Sequence, residues 1–218
     1  MALTLVIDTS LAACCAGLFR DGLSVIEAVD PMDRGHAERI GVMVAELFRE
    51  VEASPRDLGH IGVTLGPGSF TGLRVGLAFA KGMASGLNLR LKGIGTLETL
   101  NAHPDLAGRR PLSVIHGGRG SLYVQYAGEA PRTLAFTDLE AFAEGHDIDI
   151  LTGPAVDLIK DRFPGTEVMA QAWPSLKALA GLTLEDGHDD LTPLYMREAD
   201  AIASTRGIIT LAAREAVA

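Results

Sequence analysis

GPGSFTGLRVG, residues 66–76, sets four glycines and a proline within eleven residues, between two apolar runs. Glycine-rich turns ahead of helices often hold phosphate, so three loop mechanisms are tested by spacing. A P-loop requires GxxxxGK[ST], whose lysine reaches the outer phosphates. Here the first helical turn offers Leu73 and Arg74 instead. A dinucleotide fingerprint requires GxGxxG, but Gly66, Gly68 and Gly72 give GxGxxxG, and no acid ends the following strand. A nucleophile elbow requires GxSxG, and Ser69 lacks glycines at the required places. What remains is a tight strand-to-helix turn, with Ser69 or Thr71 as the helix cap. Beyond it Gly72, Gly76, Ala80 and Ala84 recur every four residues and share one helical stripe. Glycine inside a helix costs about 1 kcal/mol relative to alanine. Close approach of another backbone offsets that cost, and it comes either from the protein's own sheet or from a second chain.

Upstream, Leu3–Ile7, Ala12–Phe19 and Leu23–Val29 read as strands, with a turn at Arg20-Asp21-Gly22. Helical periodicity begins near His36: Ile40, Val44, Leu47 and Val51 recur on one face, widened by Met43 and Phe48, and Ser54-Pro55 ends it. Ile61–Leu65 is a strand, Thr71–Leu87 a helix, Arg90–Ile94 a strand, and Thr96 caps a short helix through Asn101. After the break at His103-Pro104 the pattern repeats. Leu112–Ile115, Leu122–Ala127 and Pro131–Phe136 are strands, Thr137 caps a helix, Ile148–Leu151 is a strand, and Ala155–Phe163 is helical. A repeated strand-strand-strand-helix-strand-helix unit predicts a duplicated, actin-like α/β fold (the ASKHA, RNase H-like class) with mixed sheets. Residues 1–105 form an N-terminal lobe, and residues 106–218 a C-terminal lobe with a helical segment at its end. Trp173-Pro174 is expected between the lobes.

The chain has 218 residues, of which 47% are hydrophobic, enough for a substantial core. Its net charge of −9 lacks the electrostatic footprint of a stand-alone nucleic-acid binder. Apolar runs stop well short of the roughly 20 residues of a membrane span, and no leader peptide is evident. Cys14 and Cys15 are adjacent, so on a strand they point to opposite faces and form no disulfide. These features together predict a cytoplasmic protein.

GPGSFTGLRVG, preceded by IDTS at 7–10 and followed by PLYMR at 193–197, closely resembles the bacterial TsaB (YeaZ) family. The resemblance covers most of residues 1–99 and returns at Pro193–Arg197. That family is the non-catalytic relative of the threonylcarbamoyl transferase subunit TsaD, and its members have a duplicated actin-like fold. The resemblance implies work with TsaD and the ATPase TsaE in making N6-threonylcarbamoyladenosine at position 37 of tRNAs that read ANN codons. tRNA is then met only indirectly, through the complex. It also implies that the helices starting near His36 and after the glycine loop form the subunit interface, for TsaD and for self-association as a homodimer. The expected interface residues are Gly72, Gly76, Ala80, Ala84 and Arg74 on one helix and Ile40, Met43, Val44 and Leu47 on the other. On that reading, Gly76→Leu weakens association and leaves the monomer's melting point almost unchanged.

Asp8-Thr9-Ser10 occupies the place of the first phosphate loop of actin-like ATPases, where a strand-end carboxylate can hold Mg²⁺ through water. It reads as a vestigial phosphate loop or as a plain turn bonded to its own backbone. The matching second-half loop is His116-Gly117-Gly118, without the acid of a working clamp, where the family pattern resembles DAR followed by a glycine and an acid. The catalytic relatives carry HxxxH on the first long helix; here His36 is followed by Ile40, so no metal site is expected. His36 is expected near solvent or an interface. No catalytic residue is assigned. No cofactor is expected on the lone chain, and ATP or ADP is left to a composite interface with partners. The competing readings are an ATP- or metal-dependent hydrolase or peptidase of the glycoprotease-related class, and a small sugar-kinase-like ATPase. The failed loop spacings and the HxxxI change weigh against both.

Overall fold

The computed structural model describes residues 2–185 and 187–196. Arg197 and the helix-forming segment 199–218 lie outside the described residues. The chain opens with strands β1 (Leu3–Asp8), β2 (Ala13–Arg20) and β3 (Leu23–Pro31), then helix α1 (His36–Glu50), β4 (Leu58–Gly66), α2 (Phe70–Leu87), β5 (Leu91–Gly95) and α3 (Thr96–Asn101). The second half follows with β6 (Pro111–Gly118), β7 (Ser121–Tyr126), β8 (Arg132–Ala135), α4 (Leu139–Glu144), β9 (Ile150–Gly153), β10 (Glu167–Ala170) and α5 (Leu176–Glu185). The first sheet runs β3-β2-β1-β4-β5 and the second β8-β7-β6-β9-β10. Each joins an antiparallel three-strand meander to two parallel strands. The same unit is therefore built twice, as the sequence pattern predicts.

β1 is buried along its whole length because both faces of its sheet are covered. Leu3, Leu5 and Ile7 meet α1 and α2, together with Ile40, Met43, Val44 and Leu47. Val6 points the other way and meets α5 through Leu176, Leu179 and Ala180. Cys14 faces the first layer and Cys15 the second, and both are free thiols. Burial pushes the Cys14 thiol up to about 11. β3, β4 and β5 all run parallel to β1, so the helices linking them, α1 and α2, must both run back the opposite way. The two helices therefore lie side by side with their N-termini at the same end.

Several expectations are corrected. Asp138, not Thr137, occupies the N-cap position of α4. Gly95, not Thr96, is the N-cap of α3, and Glu98 reaches back to its amide at 3.2 Å. Residues 155–163 form two short 3₁₀ turns, Val156–Leu158 and Lys160–Arg162, rather than one α-helix, because Ile159 leaves helical geometry at φ −128°. Trp173 does not sit between the lobes; it packs with α5 on the first sheet. The expected boundary near residue 105 assigned α5 to the second lobe, yet it covers the first sheet's far face. Gly62 of β4 allows this closeness, since a Cβ there would lie 1.9 Å from Thr183 Oγ1 of α5. The lobes meet through Leu97, Leu100 and Ile115, and through Gln171, whose amide donates to Leu100 O at 2.9 Å.

Candidate functional site

The glycine loop and the first strand turn are one structure. Ser69 caps α2 by accepting from the Gly72 amide at 3.2 Å, and its own amide donates to Ser10 O at 2.7 Å. Thr9 Oγ1 donates to Gly72 O at 2.8 Å. A Cβ on Gly68 would lie 2.2 Å from Ser10 O, one on Gly72 2.0 Å from Thr9 O, and one on Gly76 2.3 Å from Thr9 Oγ1. Gly68 and Gly72 are therefore required by the protein's own Thr9-Ser10 backbone, and Gly76 by the Thr9 side chain. Asp8, Thr9 and Ser10 are buried as a result. The Ser10 amide and hydroxyl both donate to Asp8 Oδ1, at 3.2 and 2.5 Å, and Thr64 Oγ1 adds a third donor at 2.6 Å. A phosphate-binding loop must present free amides and hydroxyls to its ligand. In this loop the Ser10 amide and both hydroxyls are engaged internally, which is the bonded turn of the two sequence readings.

Asp8 Oδ2 is buried without a hydrogen-bond partner among the described residues. Burial pushes this carboxyl above its ordinary 3.8, against the opposing hydrogen bonds of Ser10 and Thr64 and a smaller pull from His36. The folded protein thus holds the Asp8 proton more tightly than the unfolded chain. The stabilisation that follows is complete below about pH 3.8 and is lost as pH rises through the folded value. Asp8→Asn keeps the Oδ1 acceptor and removes the charge. We expect its stability, relative to wild type, to be greatest at pH 7 and to decline as pH falls toward 4. Urea unfolding across that range checks this, and a pH-independent difference between the two proteins contradicts it.

His36 is buried rather than near solvent, and its Nε2 has no partner among the described residues. Four residues on, Ile40 enters the core. Among the described residues no group of three His, Cys, Asp or Glu side chains is placed to hold a metal ion. The second-half loop is a hairpin turn between β6 and β7, in which Gly118, Arg119 and Gly120 take φ values of 75°, 47° and 77°.

The expected interface residues separate sharply. Gly72, Gly76, Ala80 and Ala84 face the protein's own sheet and first loop, so the seam they form is internal. Ile40, Met43, Val44 and Leu47 are likewise core. Of the nine, only Arg74 is exposed. The same two helices carry a second set of small residues on their outer face: Ala37, Gly41 and Ala45 on α1, and Thr71, Ala78 and Gly82 on α2, all exposed. Val42 and Phe70 stand beside them at 51% and 46% exposure. A solvent-facing helix surface is normally rich in charge. A spacing of four residues in Ala37, Gly41 and Ala45 was available in the sequence, but the neighbouring apolar stripe overshadows it. Between the helices lies a shallow groove of about 450 Å³, bordered by Ala37, Thr71, Arg74 and Ala78.

At one end of this groove Arg74 stacks 3.7 Å over the Phe70 ring, and its Nε donates to Tyr195 Oη at 3.1 Å. Tyr195 belongs to a strap, residues 187–196, that crosses both lobes. His188 exchanges two backbone bonds with Gly93, the Leu194 amide donates to Leu65 O at 2.7 Å, and Thr133 Oγ1 donates to Met196 O at 3.3 Å. Beneath the strap a cleft of about 500 Å³ opens at the C-terminal ends of β4 and β5, lined by Gly66, Gly95 and Glu98 and by Gln125 of the second lobe. Among the described residues no helix is long and apolar enough to cross a membrane.

Comparison with known proteins agrees with this anatomy. Residues 30–172 match the family model of TsaD, tRNA N6-adenosine threonylcarbamoyltransferase. The tRNA threonylcarbamoyladenosine biosynthesis protein TsaB of Escherichia coli is 30% identical over 206 residues, covering 87% of this chain and 84% of that protein. Its Bacillus subtilis namesake is 28% identical over 211 residues, covering 96% and 80%. YeaZ from Pseudomonas aeruginosa superimposes with a TM-score of 0.74 at 22% identity, over 89% of this chain and all of that one. The duplicated sheets are thus the actin-like fold, and by its relatives across most of its length the chain belongs to the TsaB family.

Proposed function

We propose that this chain is an accessory subunit in tRNA N6-threonylcarbamoyladenosine synthesis, docking on a TsaD-like transferase without transferring the group itself. The observation that carries the reading is the closed first loop. The hydroxyls of Thr9 and Ser10 are bound internally, under a glycine turn packed directly against them. Family membership supplies the pathway, because the curated relatives are named for it. The outer face of α1 and α2 supplies the contact: small exposed residues let another helix pair approach closely, and interfaces gain from a close-packed apolar centre. We place self-association on the same face. A TsaE-like ATPase, tRNA and any ATP or ADP are assigned to the assembled complex rather than to the lone chain. Two buried free thiols on opposite faces of β2 fit a cytoplasmic setting.

Depleting the protein from its own cells tests this directly. Nucleoside mass spectrometry of bulk tRNA is expected to show most of the modified adenosine gone, restored by re-expression of this chain. Unchanged levels in a strain with no second copy refute the reading.

A further inference from the structure

The strap 187–196 belongs to two places at once. Through His188, Thr192 and Leu194 it forms a wall of the cleft between the lobes. Through Tyr195 it closes one end of the groove between α1 and α2. There the Phe70 and Tyr195 rings lie 5.1 Å apart, and the Arg74 guanidinium is stacked on the first and bonded to the second. Both rings remain open to solvent, at 46% and 42% exposure. Tyrosine and arginine are among the side chains most favoured at interface hot spots. Phe70 and Arg74 border the groove, so a partner that fills this end of it meets Tyr195 as well.

The rest of the strap is lightly held. The His188 amide donates to Gly93 O at 3.0 Å and the Gly93 amide to His188 O at 2.9 Å, which fastens the strap to the edge strand β5. The Lys92–Asp189 ion pair beside them, at 3.0 Å, is partly exposed and adds little. Leu191 packs against the first core, whereas His188, Asp189, Asp190, Thr192, Leu194 and Tyr195 are exposed. Segments with exposed backbone bonds and little apolar burial are the first to open by local unfolding. Fixing Tyr195 removes part of the freedom that the strap gains on opening, so its remaining bonds form at a smaller entropic cost. The strap also lies directly on the β4–α2 turn: a Cβ on Gly66 would sit 2.9 Å from Leu194 O. Its far end is tied to the second lobe, where Met196 O accepts from Thr133.

We infer that docking on the α1–α2 face seats this strap, so that a partner held at Tyr195 steadies the wall of the cleft between the lobes. The inference rests on the docking reading of that face and adds its consequence for the cleft. Hydrogen exchange read by mass spectrometry tests it, on the full chain alone and saturated with the transferase subunit. The His188 and Gly93 amides lie outside the groove, and docking is expected to slow their exchange about 10-fold or more. Tyr195→Ala should abolish that slowing at a transferase concentration that still protects α2. Coupling is reciprocal, so His188→Pro, which removes one bond to Gly93 and touches neither helix, should weaken docking about 3-fold or more. Melting curves confirm that both variants are folded. Unchanged exchange at His188 and Gly93 while α1 and α2 are protected overturns the coupling and leaves the docking reading intact. Slowing that survives Tyr195→Ala, or normal docking by His188→Pro, overturns it as well. If the wild-type helices gain no protection, the docking reading itself fails and the inference with it.

Discussion

Gly72→Ala is expected to lower the thermal midpoint by roughly 5–15 °C, and Gly82→Ala, ten residues along the same helix, to raise it by roughly 2–4 °C. Both substitutions gain about 1 kcal/mol of helix propensity. They differ in what the new methyl group meets. At Gly82 nothing lies within 4 Å of the added Cβ. At Gly72 it lies 2.0 Å from Thr9 O, a backbone atom with no rotamer to change. Relief requires the first loop to move, which strains the Thr9 Oγ1–Gly72 O and Ser69 N–Ser10 O bonds at 2.8 and 2.7 Å. Overpacking costs about 1–3 kcal/mol and each lost hydrogen bond about 1 kcal/mol, which outweighs the propensity gain. Gly76→Leu belongs with Gly72→Ala, because its side chain runs into Thr9 Oγ1. It should melt early and retain the binding of its folded fraction, the reverse of the outcome expected from the sequence. Differential scanning calorimetry on the three variants decides the matter. A shift of the same sign at Gly72 and Gly82 refutes this account.

The largest effect on binding is expected at Ala78. Its side chain is exposed on the outer face of α2, two residues before the fully buried Ala80. Ala78→Arg should leave the melt within about 0.5 kcal/mol of wild type, as surface changes usually do. It sets a long cation at the middle of the proposed docking face, where no small neighbour can yield. An uncompensated charge inside an interface costs about 2–5 kcal/mol, so affinity for the transferase subunit should fall about 100-fold or more. Cells carrying this variant alone should lose most of their modified adenosine. Ala80→Arg, two residues on and facing the core, should instead fail to fold. Titration calorimetry with the transferase, run beside melts of both variants, separates the two. Ala78→Arg protein that binds normally removes this face from the interface.

The contrast between Ala78 and Ala80 marks where the sequence was legible. Periodicity located α1 and α2 to within a residue or two and identified the meander, because Ile40, Met43, Val44 and Leu47 recur on one face and β1 to β3 are separated by clear turns. It did not say which small stripe of α2 faces inward. Both the Gly72-Gly76-Ala80-Ala84 series and the Ala78-Gly82 series lack bulk, and only the position of Thr9 against the first identifies it as internal. Val156, Ile159 and Phe163 are spaced as in an α-helix, and all three are buried, yet the backbone between them turns at Ile159. α5 was missed because LKALAGLTLE is apolar on most sides, so its period carries little contrast. The internal engagement of Asp8, Thr9 and Ser10 was half visible: residue types that bond local backbone were present, but the covering turn came from about sixty residues away.

α5 also bears on how the protein is made. Its Leu176, Leu179 and Ala180 cover Val6, Ala13, Cys15 and Phe19, strands that leave the ribosome first. The N-terminal sheet therefore spends the synthesis of the whole second lobe with one apolar face open to water. At about 5–20 residues per second, the interval between residue 105 and Glu185 of α5 is roughly 4–16 s. A chain halted near residue 105 thus lacks the element that covers this apolar face.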